Sequence, residues 1–394
     1  MHTSAFSVCF MDTGLFIEML NIDSTSGRER AFADFLAERL QTGCNRVERF
    51  DVESMSAEMP EGCALPQNLL FSWGTPRVVF CTHLDTVPPY IPPTPFVDGS
   101  QQNEWNACTS AIYGRGTCDA KGQIFAMWEA CKALEADGCT DFGLLLLAGE
   151  ETGSFGAKAF NSMPVKPFPV ENAVVVVGEP TDNCMASAAK GPKSFGVEFA
   201  GEAFHSGYPQ YGRSAVMMFN DFVNVLRSIG FPQDPVLGST TWNIGKVCSD
   251  NPQNILSDKL TCRVYFRTTF ESDEMVCNVM KNIAGPDAKL RFGKPRAQDG
   301  SDIVAKEVAD WQRYMKVTAF GGDAPTRFEI LDGFDTKPVS FGSDAPQLKC
   351  FGRKMLCGPG SILVAHRDDE HICLSDLEKA VQNYIDIYKT IVNK

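Results

Sequence analysis

Two runs of four branched apolar residues, at 144–147 and 174–177, stand near the middle of the chain. Uninterrupted runs bounded by small residues indicate strands buried on both faces, as in a parallel sheet covered by helices. Glu150 and Glu151 follow the first run, and Glu179 follows the second. Ligands of such sheets lie beyond the carboxyl ends of the strands. Three carboxylates there favour a divalent metal between them, with solvated loop acids as the alternative.

Apolar spacing predicts further elements on both sides of these runs. Before residue 187 we expect two helices within 12–41, a helix over 123–136, and strands over 46–52, 68–73 and 77–81. A second group is predicted as strand 194–200, helix 214–229, strands 241–247 and 260–268, helix 273–283 and strand 289–292. The last group is helix 304–313, strands 315–319 and 354–357, and helix 375–392 capped by Ser375.

The middle group has the element order of a split βαβ, ferredoxin-like unit. A chain of 394 residues is also too long for one compact core. The prediction is therefore an α/β fold with a mostly parallel sheet, interrupted by an inserted α+β domain. The predicted boundaries are 1–187 and 298–394 for the first domain and 188–297 for the insertion.

Charge and composition exclude several classes of partner and location. The net charge of −13, with no basic run, argues against nucleic acid or an anionic membrane surface as a partner. No apolar segment reaches the roughly 20 residues that span a bilayer, and the first residues do not resemble a secretory signal. Fifteen cysteines without CxxC pairs predict reduced thiols and a cytoplasmic protein.

The histidines extend the candidate site. His83 and Asp85 follow the strand at 77–81 and are two residues apart, which suits a metal ligand oriented by a carboxylate. A structural histidine is the alternative. Asp119 lies in a glycine-flanked turn before a helix, where it is either a helix N-cap or a bridging ligand.

Together, His83, Asp119, Glu151, Glu179 and His366 supply two imidazoles and three carboxylates. If Asp119 is shared, each of two metals receives one histidine, one terminal carboxylate and the bridge. A position for water stays open on each metal, as a catalytic site requires. Glu150 is then free to act as the general base.

Six motifs in order closely resemble one enzyme family: HLDTVP, GRGTCDAKG, GEE, GEPT, AFHSGYP and GPGSILVAHRDDE. The family is that of the co-catalytic zinc deacylases and peptidases, which includes aminoacylase, acetylornithine deacetylase, succinyl-diaminopimelate desuccinylase and carboxypeptidase G. The resemblance extends from about residue 13 to the C-terminus. It implies a three-layer zinc-peptidase-like catalytic domain with a mostly parallel central sheet. It also implies an inserted dimerisation (lid) domain that forms a homodimer.

The resemblance also implies roles for single residues. One zinc ion takes His83, Asp119 and Glu179, and the other takes Asp119, Glu151 and His366, with Co²⁺ or Mn²⁺ as possible substitutes. Asp85 orients His83, and Glu150 is the general base. In the insertion, His205 reaches the partner subunit's active site and stabilises the oxyanion, while Asn254 and Arg267 bind the substrate carboxylate.

The motifs FGSDAP and GPGSILVAHRDDEHI look most like acetylornithine deacetylase, although His371 replaces the usual tyrosine. We expect His371 to be partly exposed and without a role. The expected activity is hydrolysis of a small N-acyl amino acid, N-acetylornithine, in arginine biosynthesis. The alternatives are N-succinyl-diaminopimelate, N-acetylcitrulline, a dipeptidase or carboxypeptidase activity, or a binding protein that retains the fold.

Overall fold

The computed structural model describes residues 11–43, 45–55, 59–97, 110–283 and 314–393. The chain forms two compact units. The first unit comprises Met1–Ser187, Phe328–Lys337 and Ser343–Lys394, and the second comprises Ala188–Arg327 and Pro338–Gly342.

The described helices and strands agree with most of the predicted elements. The helices are α1 (Thr13–Leu20), α2 (Arg30–Arg39), α3 (Lys121–Ala136), α4 (Glu150–Gly153), α5 (Phe155–Ser162), α6 (Ala215–Ser228), α7 (Asp273–Asn282) and α8 (Leu374–Val392). The strands are β1 (Arg46–Asp51), β2 (Gln67–Gly74), β3 (Val78–His83), β4 (Thr94–Val97), β5 (Ala111–Tyr113), β6 (Asp141–Leu147), β7 (Val174–Val177), β8 (Met185–Ala189), β9 (Gly191–Ala200), β10 (Thr241–Cys248), β11 (Lys259–Thr268), β12 (Met315–Gly321), β13 (Thr326–Arg327), β14 (Thr336–Val339), β15 (Arg353–Leu356) and β16 (His371–Cys373).

The main sheet of the first unit has the strand order β1-β2-β6-β3-β7-β15. Strands β6, β3, β7 and β15 are parallel neighbours, while β1 and β2 join antiparallel at one edge. Parallel strands buried on both faces are rich in branched apolar residues, which explains the two runs at β6 and β7. The predicted α/β fold class is confirmed. All four parallel strands end at the same edge of the sheet.

Helices α3 and α8 supply much of the core around this sheet. Phe80 of β3 lies 5.4 Å, between ring centroids, from Tyr384 of α8, and Phe16 of α1 stacks on Phe125 of α3 at 4.9 Å. These side chains belong to one continuous apolar cluster with β6 and β7. The loops after the strands therefore start from a rigid base.

The second unit contains a four-stranded antiparallel sheet in the order β10-β11-β9-β12. The strands lie in chain order 2-3-1-4, which is the arrangement of a ferredoxin-like unit. Helices α6 and α7 bury their apolar faces against this sheet, with Phe222 and Val276 at its centre.

One predicted strand belongs to a different unit from the one to which it was assigned. Residues 315–319 were assigned to the resumed catalytic domain, but β12 pairs with β9 and completes the sheet of the second unit. The chain separation of more than 100 residues between β12 and β9 explains why local pattern could not assign it. The predicted strand 289–292, the helix 304–313 and the boundary at 297 lie outside the described residues.

Three smaller predictions can also be compared with the structure. Helix α8 begins at Leu374 with Cys373 at the N-cap position, so Ser375 is not the cap. Cys373 is disulfide-bonded, so the prediction that no cysteine is paired is wrong for this residue, whereas 11 described cysteines are free thiols. Within the described residues, every helix is too short or too polar to cross a membrane. A cytoplasmic location stays a prediction.

Candidate metal centre

The carboxyl ends of three neighbouring strands bring the candidate ligands together. His83 is the last residue of β3, and Glu150 and Glu151 open α4 directly after β6. Glu179 follows β7 by two residues. Because β6, β3 and β7 are parallel neighbours, their following residues meet at one edge of the sheet.

Asp119 lies between the two histidines. Its Oδ1 is 2.9 Å from Nε2 of His83, and its Oδ2 is 3.2 Å from Nε2 of His366. The same His366 nitrogen is 2.9 Å from Oε1 of Glu151. Ligand atoms of His83, Asp119 and Glu151 all lie within 4.8 Å of one another. One carboxylate placed between two imidazoles is the arrangement that a metal pair bridged by Asp119 needs.

The electrostatics of these acids also fit bound cations. Burial, together with the charge of Asp119, raises the pKa of Glu179 well above its usual range. The same two causes raise the pKa of Glu151. Burial opposes ionisation of Asp119 too, but hydrogen bonds from His366 and His83 hold its pKa well below the usual value. Crowded carboxylates of this kind are stabilised by a divalent cation, and imidazole with carboxylate suits zinc, cobalt or manganese.

His366 is the least enclosed of these residues, with 47% of its side chain exposed. Its backbone has a φ of 65°, in the left-handed region that a non-glycine residue rarely adopts. Hydrogen bonds with Asp119 and Glu151 raise the pKa of His366 to about 10. Residues held in strained conformations cluster at functional sites, where surrounding contacts enforce them.

Asp85 contacts His83, as predicted, and also the backbone of Glu150 and Glu151. Its main-chain oxygen is 2.9 Å from Nδ1 of His83, which leaves Nε2 facing Asp119. Its carboxylate accepts hydrogen bonds from the backbone N–H groups of Glu150 at 2.9 Å and Glu151 at 3.1 Å, and from the Ser26 hydroxyl at 2.8 Å. Asp85 therefore fixes both one imidazole and the turn that presents the two glutamates.

Glu370 is a site residue that sequence reasoning missed. Its Oε1 accepts hydrogen bonds from the backbone N–H groups of Gly116 (2.9 Å), Cys118 (3.1 Å) and Asp119 (3.1 Å). Its Oε2 forms a buried ion pair with Arg115 at 2.7 Å. All these bonds hold the loop that ends in Asp119. No local pattern distinguishes Glu370 from its acidic neighbours in the run HRDDEH.

Arg115 extends this anchor to the other histidine. Its Nη1 donates to the main-chain oxygen of Arg367 at 3.0 Å as well as to Glu370. Arg367 follows His366 directly. The Arg115–Glu370 pair thus ties the Asp119 loop to the His366 loop.

Two further buried acids near the site were also missed. Burial and the charge of Asp85 raise the pKa of Glu29 to about 8. Burial, with a contribution from Asp85, raises the pKa of Asp344 to about 7. Both carboxyls therefore hold their protons to a higher pH than an exposed acid does.

The remaining predicted site residues lie in the second unit. His205 and Asn254 are on adjacent segments, where Ser206 N–H donates to the Asn254 main-chain oxygen at 2.9 Å. The Gly207 N–H donates to Nδ1 of His205 at 3.1 Å, so Nδ1 acts as an acceptor there. Arg267 is on β11, separate from those two segments. The roles of these three residues stay predictions.

His371 corrects one expectation. We expected a partly exposed residue, but His371 is buried because β16 pairs with β5 and places it opposite Tyr113. The two rings are 4.8 Å apart, and Nδ1 of His371 is 2.8 Å from the main-chain oxygen of Asp369.

Comparison with known proteins gives a matching family profile, relatives in sequence and solved structures of similar fold. A sequence profile described as "Peptidase family M20/M25/M40" matches residues 79–390. A probable carboxypeptidase of Aspergillus oryzae is 32% identical over 393 residues, covering 93% of this chain and 84% of the relative. A tripeptidase structure from Staphylococcus aureus has a TM-score of 0.73 at 19% identity and covers 97% of this chain and 98% of its own. A dipeptidase structure from Saccharomyces cerevisiae has a TM-score of 0.67 at 13% identity, with coverage of 96% and 95%.

The first prediction concerns the buried Arg115–Glu370 ion pair, which holds the Asp119 loop. Glu370→Gln keeps the shape of the side chain but leaves the buried Arg115 without a counter-charge, which is strongly destabilising for a buried pair. We expect affinity for the second equivalent of zinc to fall at least about tenfold, since loss of a residue supporting metal ligands typically has that effect. Calorimetric titration of the chelated protein measures this. The matched control is Asp369→Asn, which breaks the exposed Arg367–Asp369 pair next door. Equal zinc affinities in Glu370→Gln, Asp369→Asn and the wild type would contradict the anchoring role.

The second prediction concerns pH. Because the pKa values of Glu29 and Asp344 are raised, to about 8 and about 7, the folded state binds more protons than the unfolded state between pH 5 and 8. Stability of the chelated protein should therefore fall as pH rises, by at least about 2 kcal/mol over this window. His366, whose pKa is also raised, acts in the same sense. Chemical denaturation at each pH measures the slope, and Asp344→Asn should flatten it below pH 7. Stability that rises from pH 5 to 8 would refute the assignment.

Proposed function

The chain belongs to Peptidase family M20/M25/M40, whose model matches most of its length, and on that premise we propose that it is a metal-dependent carboxypeptidase of short peptides. It is a metallohydrolase of this family, and relatives at 30% identity or more are named probable carboxypeptidases. N-acetylornithine and arginine biosynthesis, which the motifs had suggested, find no support in these relatives. The carboxypeptidase alternative therefore replaces them as the leading hypothesis.

The observation that carries the proposal is the centre itself, in which Asp119 lies between His83 and His366 with Glu151 beside it. We assign one cation to His83, Asp119 and Glu179 and the other to Asp119, Glu151 and His366. Bound divalent cations would polarise the scissile carbonyl and lower the pKa of water.

Glu150 is the proposed general base. The Asp85 carboxylate holds its backbone N–H at 2.9 Å, and within the described residues its own carboxylate accepts no hydrogen bond. Burial and the nearby acids, including Asp344, raise the pKa of Glu150, so its carboxylate is a stronger base than an exposed one. Glu150 takes a proton from the attacking water and returns it to the amine that leaves when the C–N bond breaks.

Groups on the second unit are suited to the substrate's carboxylate and to the oxyanion. Arg267 offers a planar guanidinium for bidentate binding of the C-terminal carboxylate, and Asn254 adds an amide donor. Because Nδ1 of His205 accepts the Gly207 N–H, Nε2 is the nitrogen that we assign to the developing oxyanion. These assignments follow the family resemblance and are part of the proposal.

The third prediction tests the substrate class. N-blocked dipeptides with a free C-terminus should release their last residue in a chelator-sensitive reaction when zinc or cobalt is supplied. The same peptides with a C-terminal amide should react at least about tenfold more slowly, because loss of a charged hydrogen-bonding group costs that much. Amine release measured by ninhydrin across both series, N-acetylornithine and N-succinyl-diaminopimelate gives the ranking. A higher kcat/KM for N-acetylornithine than for every peptide would overturn the proposal.

A control for this assay isolates Glu150. Glu150→Gln should keep two metal ions and the wild-type melting temperature but lower kcat by about 100-fold or more, the usual contribution of a general base. Glu38→Gln, at an exposed position of α2, should behave as wild type. Near-normal turnover by Glu150→Gln would remove it from the base role.

A homodimer through the second unit is also proposed. Strand β10 is the outer strand of the described sheet, and 57% of Met217 on α6 and 67% of Tyr211 are exposed. Other exposed apolar side chains in the same unit are Phe204, Tyr208, Val216 and Ile255. Contiguous exposed apolar side chains mark interaction surfaces, and the rings of Phe204 and Tyr211 lie 5.5 Å apart. Met217→Lys should weaken a dimer at least tenfold in sedimentation equilibrium, and a monomeric wild type at micromolar concentration would contradict the proposal.

A further inference from the structure

Gln123 is a buried amide in the first turn of α3, shortly after the proposed bridging ligand Asp119. Its Nε2 donates to the main-chain oxygen of Cys118 at 3.1 Å and to that of Pro359 at 2.8 Å. Both protons of the amide nitrogen are therefore used, and both acceptors are backbone carbonyl groups. Gln123 thus joins the loop that carries Asp119 to the segment 358–360, which is distant in the chain.

The segment 358–360 is bonded in turn to the loop that follows Glu179. The N–H of Gly358 donates to the Thr181 hydroxyl at 2.9 Å. The N–H of Asn183 donates to the main-chain oxygen of Gly358 at 2.8 Å. These bonds complete a connection between the loops that carry two proposed ligands of the same cation.

Gln123 also lies against the main chain at Glu179. A Cβ atom at Gly358 would be 2.0 Å from Oε1 of Gln123 and 2.7 Å from the main-chain oxygen of Glu179. Only glycine fits where these two groups approach each other. A Cβ atom at Gly178 would be 3.3 Å from Cβ of Gln123, so the residue before Glu179 is close to the same side chain.

Tyr384 of α8 lies on the acceptor side of the amide. Its hydroxyl is 3.4 Å from Oε1 of Gln123 and 3.0 Å from the main-chain oxygen of Cys357. Tyr384 is fully buried, and its ring contacts Phe80 of β3. The rotation of the amide is therefore fixed, because its oxygen faces a hydroxyl and its nitrogen faces two carbonyl groups.

The carboxylate of Glu179 depends on this backbone support. It is buried, and among the residues that the structure describes none donates a hydrogen bond to it, whereas Asp119 is bonded to His83 and His366. The position of Glu179 therefore follows from the main chain that carries it. Side chains of a metal centre must be held within about 0.5 Å of their productive positions.

We propose that Gln123 is a positioning residue that fixes the distance between Asp119 and Glu179, and so determines the affinity for the cation that both bind. This inference rests on the metal centre of the proposed function. The other cation depends less on Gln123, because the N–H of its terminal ligand Glu151 is held by Asp85.

The test removes the donors of Gln123. Gln123→Met keeps the length of the side chain but leaves two buried carbonyl groups without a donor. We expect affinity for one of two zinc equivalents to fall at least about tenfold, the usual effect of losing a group that supports a metal ligand. Calorimetric titration of the chelated protein measures both affinities, and anomalous diffraction at the zinc edge should show the loss beside Glu179. Gln123→Glu, which keeps the shape and donates one hydrogen bond at most, gives the same test if Gln123→Met does not fold.

The matched control is Asn68→Leu, which removes another buried amide of the first unit. Asn68 donates to the main-chain oxygen of Gly156 at 2.8 Å and accepts from the Ala148 N–H at 3.0 Å, so it supports a different part of the unit. Both amide losses should lower the melting temperature, but only those at Gln123 should empty the position beside Glu179. Wild-type zinc affinities in the Gln123 variants, or loss of zinc beside Glu179 in Asn68→Leu, would overturn the proposal.

Zinc binding and peptide cleavage are separate measurements, which distinguishes the positioning role from the proposed function. If the wild type cleaves no peptide but Gln123→Met loses the zinc ion beside Glu179, the carboxypeptidase function fails and the positioning role stands. If the wild type cleaves peptides and Gln123→Met binds both zinc ions as the wild type does, the positioning role fails and the function stands.

Discussion

The mutual repulsion of buried carboxylates at one edge of a parallel sheet is the constraint on which this molecule depends. Asp119, Glu151 and Glu179 are withdrawn from water, and the charge of Asp119 acts on each of the other two, which costs free energy unless positive charge is supplied. His83 and His366 supply part of that charge, since both imidazoles are hydrogen-bonded partners of Asp119. The same five side chains are the donor set that a pair of divalent cations requires, so the acids and the metals stabilise each other.

A second layer of buried groups fixes the positions of the loops that carry these acids. Asp85 connects the end of β3 to the start of α4, and Glu370 with Arg115 connects the Asp119 loop to the His366 loop. Each of these carboxylates accepts several backbone N–H bonds, which a neutral side chain could match only in part. Precise placement of this kind determines whether a catalytic site works, because small displacements of ligands or base reduce rates strongly.

The sequence predicted the parts of the site that depend on local pattern. The apolar runs at β6 and β7 located two strand ends, and Glu151, which follows the first, is 2.9 Å from Nε2 of His366 in the structure. Features that depend on distant contacts were not predictable in this way. Glu370 contacts Asp119 across 251 positions of the chain, β12 completes a sheet begun at β9, and His371 is buried by pairing with β5. Residue type and spacing carry no signal for such contacts.

The most direct test of the central claim is a crystal structure of the zinc-loaded protein with anomalous diffraction measured at the zinc edge. We expect two anomalous peaks, both about 2.0–2.2 Å from carboxylate oxygens of Asp119. One peak should be bonded to His83 and Glu179, and the other to Glu151 and His366. A single peak, or two peaks that do not share Asp119, would contradict the paired metal centre.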